Sequence, residues 1–329
     1  MGIHDTNATP VGVVGLGLMG SSIVVALLAS GHPVVALAPI AGEKEKAAGH
    51  IAALLRHADS ARRLPWGIER CIASLKLVEK YDALAECKVV LECVVEDKAI
   101  KKVVYEHIAE AVSTEAIIAS NTSAIPISEL QALVPHPERF LGIHWAEPAY
   151  MTRFLEVTCG RETDLNLAEY VVSLGTSWGK EPTLLKKDIR GFITNRLMYA
   201  VYRETLSLVE AGCISISDAD KALRYDAGAW MTMMGILEYM KFTGLADHLE
   251  VCKRLFSQLS NREDVPPLMQ RQVEARARGV HNQSGLYPYS EAGAKAWEGA
   301  FSHFNKEIFD LATRYRKEQV HDVNEENVF

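Results

Sequence analysis

Apolar residues fall along this chain in short runs separated by amphipathic stretches, and the two periods alternate. Val11 to Val14, His32 to Ala38, Lys88 to Val95 and Glu115 to Ser120 are apolar runs of strand length. Between them, Ser21 to Ser30 (closed by Gly31), most of Ala41 to Arg70, and Asp97 to Val112 repeat at helical spacing. A short helix over Ile127 to Leu133 follows, then strands ending at His144 and over Phe154 to Thr158, a helix over Leu165 to Trp178 and a strand over Glu181 to Lys186. Such alternation predicts an α/β Rossmann-type, doubly wound, mostly parallel sheet. After Lys187 the texture changes. Ile189 to Ala211 predicts one long helix, with Ile193, Leu197, Val201 and Leu208 on one face and Gly212 as its stop. Helical patterns continue to about residue 317, before a polar tail from Glu318 to Phe329. Two domains are expected: residues 1–187 with the sheet, and 188–329 all helical.

Composition narrows the classes of partner. A net charge of −7 and a pI near 5.9 give no electrostatic footprint for nucleic acid or for an anionic membrane. The six cysteines are scattered without ligand spacing, which predicts reduced thiols and no structural metal. No apolar run reaches the length of a membrane span and no signal peptide is visible, so the expected location is the cytoplasm. Met1 to Thr6 formally fits an N-myristoylation pattern, but reads as a polar leader.

The first strand enters Gly15-x-Gly17-x-x-Gly20, with Leu18 and Met19 between the glycines, and a helix follows at once. In this order Gly15 allows the turn, Gly17 lets a pyrophosphate approach the backbone, and Gly20 lets helix and strand pack closely. The helix amino terminus then faces the phosphates. A dinucleotide is the predicted ligand. The position that usually carries an acid for the adenosine ribose of NAD is Ala38, followed by Pro39, with Lys44 and Lys46 nearby. NAD is the first choice and NADP stays open. Gly15–Gly20, Glu96, Ser123 and His144 all follow predicted strand ends, the side of such a sheet that faces its ligand crevice.

His144 and Glu156 sit in two neighbouring strand-like runs, 12 positions apart. A carboxylate on one ring nitrogen fixes the tautomer and favours the imidazolium, which makes His144 a candidate general base or acid with Glu156 as its orienter. Taken alone, the same residues describe a core histidine bonded to backbone and a surface glutamate. Their company decides between the two.

With these residues assembled, the chain resembles the L-3-hydroxyacyl-CoA dehydrogenase family. The likeness rests on Gly15-Leu-Gly-Leu-Met-Gly20, Glu92-Cys-Val-Val-Glu96, Ser120-Asn-Thr-Ser123, Gly142-Ile-His144, Gly191-Phe-Ile-Thr-Asn195-Arg-Leu197 and Asn282-Gln-Ser-Gly285-Leu-Tyr-Pro-Tyr289, in matching order. The resemblance implies an NAD-dependent dehydrogenase of 3-hydroxyacyl-CoA substrates with His144, Glu156, Ser123 and Asn195 as catalytic groups. It places Glu96, Lys101 and Asn121 near the cofactor, and implies a homodimer formed through the helical domain. The run His144-Trp-Ala-Glu147-Pro148 departs from the family's two aromatics, Asn and Pro. Relatives with the same His/Glu pair oxidise non-CoA alcohols such as L-gulonate and carnitine, so a free 3-hydroxy acid is the alternative substrate. A non-catalytic dinucleotide-binding protein is the third reading.

Overall fold

The computed structural model describes residues 10–314 except Val280 and Tyr289. The leader pattern at Met1 to Thr6, the closing Tyr289 and the tail from Glu318 lie outside the described residues. The chain divides into two compact units after Thr194, each described by itself.

The first unit alternates as the periodicity predicts. Its strands are β1 (Val11–Val14), β2 (Val34–Leu37), β3 (Leu75–Val78), β4 (Val89–Glu92), β5 (Ile117–Ser120), β6 (Phe140–Trp145), β7 (Phe154–Cys159) and β8 (Glu181–Leu185). Its helices are α1 (Leu18–Ala29), α2 (Glu43–Ser60), α3 (Gly67–Ala73), α4 (Lys98–Ala111), α5 (Ile127–Gln131) and α6 (Leu165–Ser177). The eight strands form one sheet in the order β3-β2-β1-β4-β5-β6-β7-β8. Every pairing is parallel except β6 with β7.

The β-branched runs of the central strands are buried throughout because helices cover both faces. Val13 and Ala36 point into a core with Ile23, Ile51 and Val171, while Val14 and Leu37 point into the opposite one with Tyr105, Ile108 and Ile127. The chain winds outward from β1 in one direction to β3 and in the other from β4, so the switch point lies between β1 and β4. Gly15 and Cys93 leave the sheet side by side there, with Cys93 donating its N–H to Val14 O at 2.8 Å.

Ala41 to Arg70 is mainly helical, in two pieces: α2 stops at Ser60 and α3 begins at Gly67, because Arg62 takes a left-handed φ of 58° and Pro65 follows. One sequence expectation needs correction: the long helix does not begin at Ile189. Gly191 and Phe192 have φ of 83° and 50°, which breaks helical continuity, and α7 spans Thr194–Glu210.

The second unit is helical: α8 (Ile216–Ala222), α9 (Gly228–Met231), α10 (Ile236–Thr243), α11 (Leu245–Leu255), α12 (Pro267–Glu274) and α13 (Glu291–Arg314) follow α7. Glu210 near the end of α7 accepts the Leu268 N–H and pairs with Arg262 at 2.5 Å. Trp230 stacks on Tyr239 at 4.0 Å. Along α7 no side chain is buried, and Leu197, Tyr199 and Tyr202 are exposed.

Candidate active site

β6 and β7 run antiparallel, and His144 and Glu156 are direct register partners. Cross-strand partners put their side chains on the same face, so strand pairing alone brings the groups together. His144 Nδ1 lies 2.9 Å from Glu156 Oε2. Phe154 and Phe192 pack against the imidazole at 5.4 and 5.7 Å between ring centres. The ring is 16% exposed and the carboxylate 1%.

Glu156 is satisfied on both oxygens. Oε1 accepts the N–H groups of Ile193 and Thr194, at 2.9 and 3.1 Å. The left-handed turn at Gly191-Phe192 presents these amides, which is why the predicted helix starts late. Burial pushes the Glu156 pKa up, but the His144 hydrogen bond, the two amides and the charge of His144 together hold it below its ordinary value. An ionised Glu156 is acceptor-only, so Nδ1 carries the hydrogen and Nε2 is left to take or give a proton.

Ser123 follows β5 in a loop organised by Glu96. The Glu96 carboxylate accepts from the Thr122 hydroxyl, from Ser123 N–H at 3.2 Å and from Ala124 N–H at 3.3 Å. Burial raises the Glu96 pKa, yet the Thr122 hydroxyl, Lys101 and the Ala124 amide bring it below the usual carboxylate range. Asn121 accepts the Trp145 N–H on Oδ1 at 2.9 Å. Its side-chain carbonyl therefore braces the residue after His144.

Lys101 lies beneath this loop. It is 1% exposed, and its ammonium lies 2.7 Å from Glu92 and 3.2 Å from Glu96. Glu92 in turn accepts from the Tyr105 hydroxyl at 2.7 Å and the Ser120 hydroxyl at 2.8 Å. Lys101 thus anchors Glu96 as well as Glu92. The spacing Lys101, Val104, Tyr105, Ile108 carries this information, since it places the lysine on the buried stripe of α4. Asn195 is the second residue of α7 and opens the second unit.

The glycine turn fits a dinucleotide. Gly15 has φ 91°, and a Cβ on Gly20 would stand 1.9 Å from Gly15 O, so both positions exclude side chains. A Cβ on Gly17 would meet nothing within 4 Å. That open space lies at the amino terminus of α1, where Gly17 is the N-cap and no side chain caps the helix. Free amides beside an open backbone are what a pyrophosphate requires. Among the described residues, no group of three His, Cys, Asp or Glu side chains is placed to hold a metal.

A glycine turn at the switch point and a carboxylate-held histidine two strands beyond β4 on the same sheet are the parts of an NAD-dependent dehydrogenase acting on a secondary alcohol. The chain belongs to the 3-hydroxyacyl-CoA dehydrogenase family: residues 10–189 match its NAD-binding domain and residues 191–289 its C-terminal domain. It is 32% identical over 289 residues to the 5-formyl-3-hydroxy-2-methylpyridine 4-carboxylate 5-dehydrogenase of Mesorhizobium japonicum, across 87% of this chain and 92% of that protein. A crystal structure of a 5-dehydrogenase of that pyridine acid, described as an NAD+-dependent dismutase, superposes with a TM-score of 0.85 at 29% identity, covering 94% of this chain and all of the other. (S)-3-hydroxybutyryl-CoA dehydrogenase from Ralstonia eutropha superposes with 0.71 at 27% identity, covering 86% and 99%.

Proposed function

We propose that the protein interconverts a hydroxyl and a carbonyl, with His144 as the proton-transfer group and Glu156 as its orienter. The observation that carries this reading is the Nδ1–Oε2 bond of 2.9 Å, made to a carboxylate already fixed by two backbone amides. Nε2 takes the hydroxyl proton during oxidation and returns it during reduction, while the ionised Glu156 stabilises the imidazolium. Ser123, and Asn195 at the start of α7, donate hydrogen bonds to the substrate oxygen as it becomes a carbonyl. NAD, when bound, supplies the hydride acceptor. Its pyrophosphate is assigned to the amides of Gly17, Leu18 and Met19 in the Gly15–Gly20 turn, and Glu96, Lys101 and Asn121 to the cofactor's surroundings nearer Ser123. Ala38 leaves β2 without the usual ribose acid, so NADP is the cofactor to compare.

Within that chemistry we read the substrate as a small hydroxy or oxo acid that is not carried on coenzyme A. Support comes from the pyridine carboxylate dehydrogenase, whose likeness extends over more of this chain and superposes more closely than that of the hydroxybutyryl-CoA enzyme. Glu147, in place of the family's Asn, is in keeping with an altered substrate. A 3-hydroxyacyl-CoA is the second reading, favoured by the family itself. A homodimer through the second unit is part of the proposal, and the exposed apolar side chains of α7 support it.

Steady-state rates with acetoacetyl-CoA, free acetoacetate and a panel of hydroxy and formyl aromatic acids, each with NADH or NAD and with the phosphorylated cofactor, test these readings. Turnover of free acids alone supports the first, and turnover of the CoA ester alone overturns it. Silence across the panel with measurable NADH binding favours a non-catalytic protein.

A further inference from the structure

The segment joining His144 to Glu156 is tied down from several sides. Ala149 N–H donates to Ser22 Oγ of α1 at 2.8 Å. The Tyr150 hydroxyl lies 2.8 Å from His57 Nδ1 of α2. The Thr152 hydroxyl donates to Ala146 O at 3.3 Å, and Met151 N–H to Pro148 O at 2.9 Å. The last tie is Lys180, in the turn before β8, whose Nζ donates to the backbone carbonyls of Ala149 and of Thr152.

Lys180 is 4% exposed, and its ammonium stands 5.2 Å from the centre of the Trp145 ring, the residue after His144. Taking an ammonium out of water costs several kcal/mol, and an apolar side chain would fill this place without that cost. What an apolar side chain cannot do is hold two carbonyls three residues apart at one point. We propose that Lys180 is a positioning residue: its ammonium clamps the β6–β7 turn and thereby fixes His144 against Glu156. This rests on the catalytic reading of that pair.

The neutral amine keeps two N–H donors, so Lys180 can hold both carbonyls in either protonation state. Burial, and then the nearby charge of Arg153, push the Lys180 pKa down to about 7. Arg153 is itself paired with Glu181 at 3.0 Å. The other titratable groups of the turn, Glu147 and Tyr150, are both pushed up by burial, Glu147 against a Ser22 hydrogen bond and Tyr150 to about 12 with the Glu147 charge adding to the rise. Because the closed turn holds Lys180 below the pKa it has in water, closing is favoured as pH rises through the Lys180 titration, and the Arg153 charge adds to that shift after burial.

The test combines hydrogen exchange across residues 146–153 with steady-state kinetics and NADH binding, on the wild type, Lys180→Met and Arg153→Gln. In the wild type, protection of the turn rises above about pH 7, after correction for intrinsic exchange. Lys180→Met shows the low-protection state at every pH and loses kcat on the order of 10²-fold, with NADH affinity retained. Arg153→Gln moves the exchange transition to higher pH, because the Arg153 charge lowers the Lys180 pKa. Wild-type protection and kcat in Lys180→Met overturn the proposal; if that variant fails to fold, wild-type protection that stays level or falls above about pH 7 overturns it. Lys180-dependent protection in a protein that turns over no alcohol overturns the catalytic reading while leaving the clamp in place.

Discussion

Glu156 faces His144 across an antiparallel strand pair and is held there by amides on the far side of its own carboxylate. The imidazole is thus oriented by a group that is itself immobilised, and its outer nitrogen is directed by the sheet. Replacing His144 with Gln removes the proton acceptor but leaves the glycine turn untouched. The expected loss in kcat is on the order of 10²–10⁴-fold, with NADH affinity within about twofold of wild type. A His144→Gln enzyme with normal kcat would remove His144 from the chemistry.

The same carboxylate gives a stability signature on the acid side. Its folded pKa lies below the unfolded value, so its contribution is fully present above the unfolded pKa and is lost as pH falls through the folded one. Glu96 is shifted in the same direction. Glu156→Gln should therefore flatten, without abolishing, the fall in thermal midpoint between about pH 6 and pH 3. An unchanged acid slope in that variant would show that the carboxylate is not preferentially ionised in the fold.

How much of this was legible along the chain depends on the range of the interaction concerned. The glycine turn and the central strands are local patterns, and the His144 and Glu156 runs have strand composition, so pairing needs only that they be neighbours. β3 escapes because Leu75-Lys-Leu-Val78 is four residues on a sheet edge and only half-buried. The start of α7 was misplaced because apolar spacing continues through Gly191-Phe192, whereas the acceptor that holds Ile193 and Thr194 lies far back in the chain at Glu156. Lys180 gave no signal at all, since its partners are backbone carbonyls.

Gly17 and Gly20 make opposite demands, and alanine at each separates folding from cofactor binding. At Gly20 a methyl group meets backbone at Gly15 O, so Gly20→Ala should destabilise the first unit by about 1–3 kcal/mol. At Gly17, with φ −68° and nothing in reach, Gly17→Ala should melt as the wild type does. It should nevertheless bind NADH about tenfold more weakly, or 1.4 kcal/mol, by fluorescence titration. Equal NADH affinity in Gly17→Ala and wild type would move the pyrophosphate away from this turn.

Lys101 and Tyr105 both serve Glu92, but their loss should be felt differently. Glu92 is fully buried, and Lys101 is its counter-ion, so Lys101→Met leaves a buried carboxylate without its charge partner at a cost of about 3–5 kcal/mol. Tyr105→Phe removes one hydrogen bond to that carboxylate, about 1.5–3 kcal/mol. Burial and the Glu92 charge both raise the Tyr105 pKa, so the phenol stays a donor at any working pH. Lys101 alone also reaches Glu96, which gathers the Thr122–Ala124 loop around Ser123. Lys101→Met should therefore lower kcat as well as stability, whereas Tyr105→Phe should lower stability alone, measured by urea unfolding and by steady-state rates. Converting Glu92 to Gln together with Lys101→Met should recover part of the stability, because the uncompensated charge is gone, but not the rate, because Glu96 still lacks its anchor. A double variant that recovered both would show that Lys101 acts only as the counter-ion of Glu92, not through Glu96.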